Sequence, residues 1–299
     1  MRIMVTGANG LLGQKLVTLL QDIEDVELIA TGKGLNRNPE GKYAYLSADL
    51  QNHEGVRTFI SLTQPDIIIH CAAMTQVDEC EEHQDNCWKI NVTATANLVT
   101  IAQDEDIRFI YVSTDFVFDG LSGPYREEDL PSPISYYGET KAKAEDIVKQ
   151  SGLDYAIIRT VLVYGVAHDP SRSNIVLWVK NSLEAGKEIE VVDDQWRTPT
   201  LAEDLAIGIW QVVKKEKTGI FHISGADTMN VFELAERVAE FFQLDKDLLR
   251  ATDSYNLDQP GKRPLKTGFI INKAQRELGF KPKSLNEGLA LVKEQLESR

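Results

Sequence analysis

The sequence predicts a doubly wound α/β fold, a parallel sheet with helices on both faces, followed by a smaller C-terminal α/β lobe. Three observations carry this expectation. Short apolar runs alternate with longer helix-like stretches five or six times over the first half of the chain. The runs are near-continuous rather than alternating, as strands buried on both faces require. After about residue 165 the rhythm loosens and the runs shorten.

The expected strands are "RIMVTG", "ELIATG", "YAYLSADL", "PDIIIHCAA", "RFIYVST" and "DYAIIRTV", each dense in Ile, Val, Leu or Tyr. Helical periodicity fills residues 11–21, 53–63, 85–105 and 136–150 between and after them. Farther on, 174–187 and 201–215 read as helices, and "EIEVV" and "GIFHIS" as strands. "VFELAERVAEFF" places Leu234, Val238 and Phe241 at helical spacing, and a final helix spans 285–297 after a Pro/Gly-rich stretch. The expected organisation is a nucleotide lobe over 1–165 and a mainly substrate-binding lobe over 166–299. Residues 188–215 return to the first lobe, with a cleft between the two.

The 299 residues are 42% hydrophobic and 26% charged, ordinary values for a globular protein. The formal net charge of −14 argues against nucleic-acid or anionic-membrane partners, since both need a positive surface. No apolar run approaches the roughly 20 residues of a membrane span. "MRIMVTGANG" reads as the first strand rather than as a leader, so the cytoplasm is the expected compartment. Three cysteines, Cys71, Cys80 and Cys87, fit neither a disulfide framework nor a zinc pattern, and no metal is expected. Asn91-Val92-Thr93 matches a glycosylation acceptor by letters alone.

The first strand runs into Gly7-Ala8-Asn9-Gly10-Leu11-Leu12-Gly13 and then a helix. Gly7 allows a tight turn, Gly10 a close approach to a pyrophosphate, and Gly13 close packing of helix on strand. The helix N-terminus offers free N–H groups and its positive dipole end to phosphate. A plain strand-to-helix turn needs only one glycine, so a Rossmann-type nucleotide site is expected. The second strand ends Ala30-Thr31-Gly32-Lys33 with no acid to hold a ribose 2′-hydroxyl, and Arg37 follows. Lys33 and Arg37 suit a 2′-phosphate, which makes NADP(H) the expected cofactor. NAD(H) is the alternative, because two bases also suit a solvated loop. Asp49 and Leu50, after the third strand, are placed to border the adenine.

"SYYGETKAKAE" contains Tyr137-x-x-x-Lys141. On a helix these lie on one face, so a phenol and an ammonium converge. A nearby cation lowers the phenol pKa, and such a Tyr exchanges a proton with a carbonyl oxygen as hydride moves at its carbon. Ser113 or Thr114, at the end of the fifth strand, lies where doubly wound folds keep their sites.

These motifs resemble those of the extended short-chain dehydrogenases/reductases, and most closely the dTDP-4-dehydrorhamnose reductase group. The resemblance covers nearly the whole chain. It rests on "GANGLLG", "PDIIIHCAAMTQVDECE" with Asn91, "STDFVFDG", "PISYYGETKAKAE", "IIRTVLVYG", "VVDDQWRTPT" and "KRPLKTGF". It implies a triad of Thr114, Tyr137 and Lys141, with Cys71-Ala72-Ala73 beside the cofactor and Asp115 near the sugar. Related dehydratases carry Asp-Glu after the Thr. Here Phe116 follows Asp115, so the resemblance implies ketone reduction rather than dehydration.

Leu162 stands where the group usually carries a Trp against the deoxythymidine sugar, which leaves the nucleotide sugar open. Asn174, Gln195 and Arg263 are further polar candidates, and Arg263 with Lys262 suits a diphosphate, as it does an exposed basic loop. The expected activity is NADP(H)-dependent reduction of a nucleotide-linked 4-keto-6-deoxy sugar. The alternatives are an epimerase, for which His70 and His168 are the candidate acid/base groups, and a non-catalytic NADP-binding regulatory subunit. A homodimer is the assembly such reductases commonly form. An acidic protein with anionic ligands must bind phosphate locally, which directs attention to Lys33, Arg37, Lys262, Arg263 and the Gly7–Gly13 turn.

Overall fold

Each apolar run becomes a strand because both of its faces are covered. The computed structural model describes residues 1–38, 41–168, 173–257 and 259–298. The strands are β1 (Arg2–Thr6), β2 (Glu27–Gly32), β3 (Ala44–Ser47), β4 (Ile67–His70), β5 (Arg108–Thr114), β6 (Tyr155–Thr160), β7 (Val163–Tyr164), β8 (Ile189–Val192), β9 (Trp196–Arg197), β10 (Thr200–Leu201), β11 (Gly219–His222), β12 (Met229–Asn230) and β13 (Leu249–Thr252). The helices are α1 (Leu11–Leu20), α2 (His53–Thr63), α3 (Val77–Glu82), α4 (Gln84–Trp88), α5 (Ala94–Asp104), α6 (Tyr136–Gln150), α7 (Ile175–Glu184), α8 (Ala202–Lys214), α9 (Val231–Phe242) and α10 (Leu285–Glu297).

Seven parallel strands form one sheet in the order β11-β6-β5-β4-β1-β2-β3. Ile3, Val5, Ile69 and Ile158 point to one face, under Leu16 and Val17 of α1 and Leu205 and Ile209 of α8. Met4, Ile68, Phe109 and Ile157 point to the other, under α2, α5 and α6. Successive side chains therefore both need to be apolar, which explains the unbroken runs. From β1 the chain lays β2 and β3 to one side and β4, β5 and β6 to the other. A crevice opens at the carboxyl ends of β1 and β4, where doubly wound folds bind ligands.

A second core joins Val176 and Val179 of α7, Ile189 and Val191 of β8, Leu234 and Val238 of α9, and Leu289 and Val292 of α10. The capping boxes Asn230/Glu233 and Ser284/Glu287 start α9 and α10 by satisfying their first amides. Within 188–215, expected to return to the nucleotide lobe, β8 pairs instead with β13 in this second core. α8 does pack on the sheet, and β11, beyond that stretch, extends the sheet beside β6.

The helix expected over 85–105 is interrupted. A π-helical turn, Lys89–Thr93, separates α4 from α5, and α3 was not anticipated. The turn directs Asn91 inward. Its amide oxygen accepts from Met74 N–H at 2.8 Å, and its nitrogen donates to the Met74 carbonyl and the Thr140 hydroxyl, both at 3.0 Å. Three side-chain bonds to two other segments outweigh the regular helical register there. Asn91 is fully buried, which removes it as a glycosylation acceptor. No helix among the described residues is long and apolar enough to cross a membrane.

Candidate active site

The site starts at the turn from β1 into α1. Gly7 has φ +69°, and a Cβ there would come within 2.6 Å of the Ala72 backbone nitrogen. A Cβ on Gly13 would strike the Gly7 carbonyl oxygen, so only glycine lets α1 approach the strand this closely. Gly10 caps α1 in an extended conformation, with no side-chain bond and no acid in the first turn. The first-turn amides therefore meet no capping side chain of the chain's own, and the dipole end faces the crevice uncompensated.

One cleft of about 540 Å³ brings this turn together with the other motifs. Gly7, Gly10, Leu11, Leu12 and Gly13 line it with Cys71, Ala73, Thr114, Tyr137, Lys141 and Leu162. A smaller cavity of about 140 Å³ meets Gly7 from the other side, bordered by Lys33, Asp49, Leu50 and Ala72. With Ile90 and Ala94 in its wall, this cavity suits a flat base. The turn, the cleft and the cavity together fit an extended dinucleotide.

α6 places the acid/base pair. The Ser135 hydroxyl accepts from Gly138 N–H at 3.2 Å, which fixes where the helix begins. Tyr137 and Lys141 then lie one turn apart, both buried and both lining the cleft. Burial pushes the Tyr137 phenol up, with the Thr114 hydroxyl beside it pulling the other way. Burial pushes the Lys141 ammonium down to about 8, opposed by the Glu145 carboxylate.

Lys141 Nζ donates to the Val112 carbonyl at 2.8 Å and lies 4.3 Å from the Tyr111 ring centroid. The expectation that Lys141 lowers the phenol pKa is therefore corrected. Desolvation outweighs any cation effect on Tyr137 here, and the phenol stays protonated at neutral pH. A protonated phenol is the form that donates to a ketone oxygen.

Thr114 ends β5, and its hydroxyl donates to Asp115 Oδ1 at 3.1 Å. Asp115 is buried, and its other oxygen takes a short hydrogen bond from the Thr267 hydroxyl. Arg197 Nε stands 3.7 Å from the same oxygen. Burial raises the Asp115 pKa against the pull of Arg197. Asp115 thus lines the cleft with both carboxylate oxygens already engaged.

The model of the RmlD substrate binding domain matches residues 1–298. The chain belongs to this family. A dTDP-4-dehydrorhamnose reductase from Clostridium acetobutylicum superposes with a TM-score of 0.88 at 30% identity, covering 99% of this chain and 100% of that one. A dTDP-4-dehydrorhamnose reductase from Bacillus anthracis, solved in complex with NADP, gives 0.84 at 29% identity, covering 98% and 99%. Among curated relatives, the probable low-salt glycan biosynthesis reductase Agl14 of Haloferax volcanii is 31% identical over 96% of each chain. The methionine adenosyltransferase 2 subunit beta of Bos taurus is 33% identical over 85% of this chain and 76% of its own.

Within this RmlD-family chain, the sequence-derived cofactor residues fall into two groups. Gly7, Gly10–Gly13, Cys71, Ala72, Ala73, Lys33, Asp49 and Leu50 border the cleft or the adjoining cavity. Burial pushes the Cys71 thiol up to about 12, so it is a packing group rather than a nucleophile. Asn9 borders neither space. Its amide nitrogen donates to the Leu35 carbonyl at 3.0 Å and the Tyr45 hydroxyl at 2.8 Å, and its oxygen accepts from Arg37 N–H at 3.0 Å. It shapes the loop that carries Lys33 and exposed Arg37. Lys33 stands 3.7 Å from an Asp49 carboxylate, so an acid does lie beside that base.

The substrate candidates divide differently. Leu162 lines the cleft and is held at φ +40°, a conformation leucine rarely adopts. Asn174 also lines it, but its side chain caps α7 through Leu177 N–H and donates to the Gly165 carbonyl at 2.7 Å. Gln195 and Arg263 do not border the cleft. Gln195 donates to the Ser254 hydroxyl and accepts from Arg197. Arg263 grips Asp78 in a two-pronged pair at 2.9 and 2.7 Å.

Arg197, not singled out in the sequence, does line the cleft. The quoted "DDQWRTPT" held the signal, but nothing local distinguished Arg197 from Gln195. Of the two histidines, His70 is buried between the Thr6 and Thr95 hydroxyls at 2.7 and 3.1 Å and pushed down to about 3 by burial. It is a neutral packing residue, not an acid/base group. His168 donates its backbone N–H to Gln14 Oε1 at 2.7 Å.

Proposed function

We propose that the chain is an NADPH-preferring reductase of a nucleotide-linked 4-keto-6-deoxy sugar. The observation that carries this is the single cleft in which an uncapped helix N-terminus meets Thr114, Tyr137 and Lys141. The names of the reductases it resembles support the same substrate class. We further propose that the 1–165 part holds the dinucleotide and that the second core builds the sugar side of the cleft.

When bound, a reduced nicotinamide supplies hydride to the keto carbon. Tyr137, kept neutral by burial, gives its phenolic proton to the ketone oxygen. Lys141 holds the nicotinamide ribose and offsets the phenolate charge left on Tyr137. Thr114 turns its hydroxyl from Asp115 to orient the carbonyl. Lys33 and Arg37 take the 2′-phosphate, and the amides at Leu11, Leu12 and Gly13 take the pyrophosphate. Leu162 forms an apolar wall against the sugar nucleotide. The assembly is a homodimer in the cytoplasm.

The experiment is NADPH consumption on addition of dTDP-4-keto-6-deoxyglucose, with GDP- and UDP-linked 4-keto sugars as controls. A second reading, a non-catalytic cofactor-binding subunit of another enzyme, is favoured by the similarity to a protein named as a subunit. It predicts tight NADPH binding and no consumption with any of the three sugars.

A further inference from the structure

Behind the cleft, charged side chains run inward from Lys141. Glu145 lies one turn farther along α6, on the same face, and is fully buried. Its two oxygens accept from Arg159 Nε at 2.8 Å and Nη2 at 2.7 Å. Lys149 adds a third contact to Oε2 at 3.1 Å. Arg159, on β6, is itself fully buried, 5.0 Å from the Phe118 ring centroid, with Nη1 3.5 Å from His222 Nε2. Apolar side chains of similar volume would pack α6 on β6 at lower cost than a buried ion pair. The place of the pair, one turn from a buried ammonium, gives it another use.

The surroundings of Lys141 show what that use is. Tyr111 faces it from β5, His70 and Cys71 from β4 and the segment after it, Cys80 and Cys87 from α3 and α4, and Tyr137 and Glu145 from α6. Among these groups Glu145 alone is a carboxylate. Arg159 and Lys149 hold both Glu145 oxygens, so Lys141 feels the negative charge while Nζ keeps its bond to Val112.

We propose that Glu145, clamped by Arg159, is a positioning residue for Lys141: its fixed carboxylate, one turn along the same face of α6, favours the ammonium form at the buried wall of the cleft. The inference rests on reading Lys141 as part of the site, but the charge on Lys141 is measurable without cofactor or substrate.

The test uses the full chain with lysines labelled with carbon-13 at Cε, followed by NMR against pH. Loss of one signal in Lys141→Met assigns it. The wild-type signal is expected to titrate near pH 8, and in Glu145→Gln about one unit or more lower. Glu145→Gln/Arg159→Met removes both charges, so neither partner is left buried alone, and it should fold if the single variant does not. Its Lys141 signal should move in the same direction. The alkaline limb of NADPH-dependent activity on dTDP-4-keto-6-deoxyglucose should follow the signal in each variant. A folded variant whose Lys141 titrates as in wild type overturns the proposal. Full activity in Lys141→Met would instead overturn the proposed function, leaving the titration result to stand by itself.

Discussion

The two walls of the cleft use their polar groups in opposite ways. On the wall built by the Gly7–Gly13 turn and α6, groups remain turned to the cleft: the α1 N-terminus has no capping side chain, and Tyr137 and Lys141 line the space. On the opposite side, where Thr114, Asp115 and Arg197 line the cleft and Gln195, Arg263 and Thr267 stand behind them, polar side chains are engaged with one another. Asp115 is held by Thr114 and Thr267, Arg197 donates to Gln195 and three backbone carbonyls, and Arg263 holds Asp78. The first wall is ready to act on a ligand. The second is a braced frame whose cleft-facing surface is set by few groups, Leu162 and Arg197 among them. On the function proposed above, proton transfer falls to the first wall, while the second, Thr114 apart, sets shape.

The sharpest way to break this contrast is Tyr137→Phe. Loss of one general acid costs roughly 10²–10⁴ in turnover, with NADPH binding unchanged, as rate assays and fluorescence titration would show. Gly13→Ala comes next. A methyl group against the Gly7 carbonyl must push α1 off the strand, so NADPH affinity should fall at least about tenfold, with thermal stability lowered too. Replacing both Lys33 and Arg37 by Ala should weaken NADPH about tenfold more than NADH, since each loses a charge-assisted bond only to the 2′-phosphate. Equal losses for the two cofactors would reduce these bases to loop solvation.

The smallest effect belongs to the second wall. Arg263→Ala breaks a half-exposed pair with Asp78 and should cost about 1 kcal/mol in denaturant unfolding. KM for the sugar nucleotide should change only a few-fold. A rise of about a hundredfold would return Arg263 to the substrate and erase the contrast between the walls.

The same division governs what could be read from the sequence. The parallel sheet was legible because burial on both faces writes itself into consecutive residues. The Gly7–Gly13 turn and Tyr137-x-x-x-Lys141 were legible because each is one local element. Arg263 and Asp78 are 185 residues apart, and Thr267 and Asp115 are 152 apart. No spacing rule reaches across such distances, so Arg263 and Gln195 read as free for substrate when they are not. The break in the 85–105 helix was hidden for the same reason, since Asn91 turns inward for partners at Met74 and Thr140. Tyr137 was placed correctly on its helix, yet the sign of its pKa shift needed three-dimensional burial, which periodicity does not convey.

The most direct test of the central claim follows NADPH consumption and product together, with dTDP-4-keto-6-deoxyglucose as substrate, in the wild-type chain and in Tyr137→Phe. The account predicts one NADPH oxidised per ketone reduced by the wild type. It predicts a rate at least about a hundredfold lower in the variant, with equal NADPH affinity in both. Tight NADPH binding with no consumption of any dTDP-, GDP- or UDP-linked keto sugar, or equal rates in the two proteins, would contradict it.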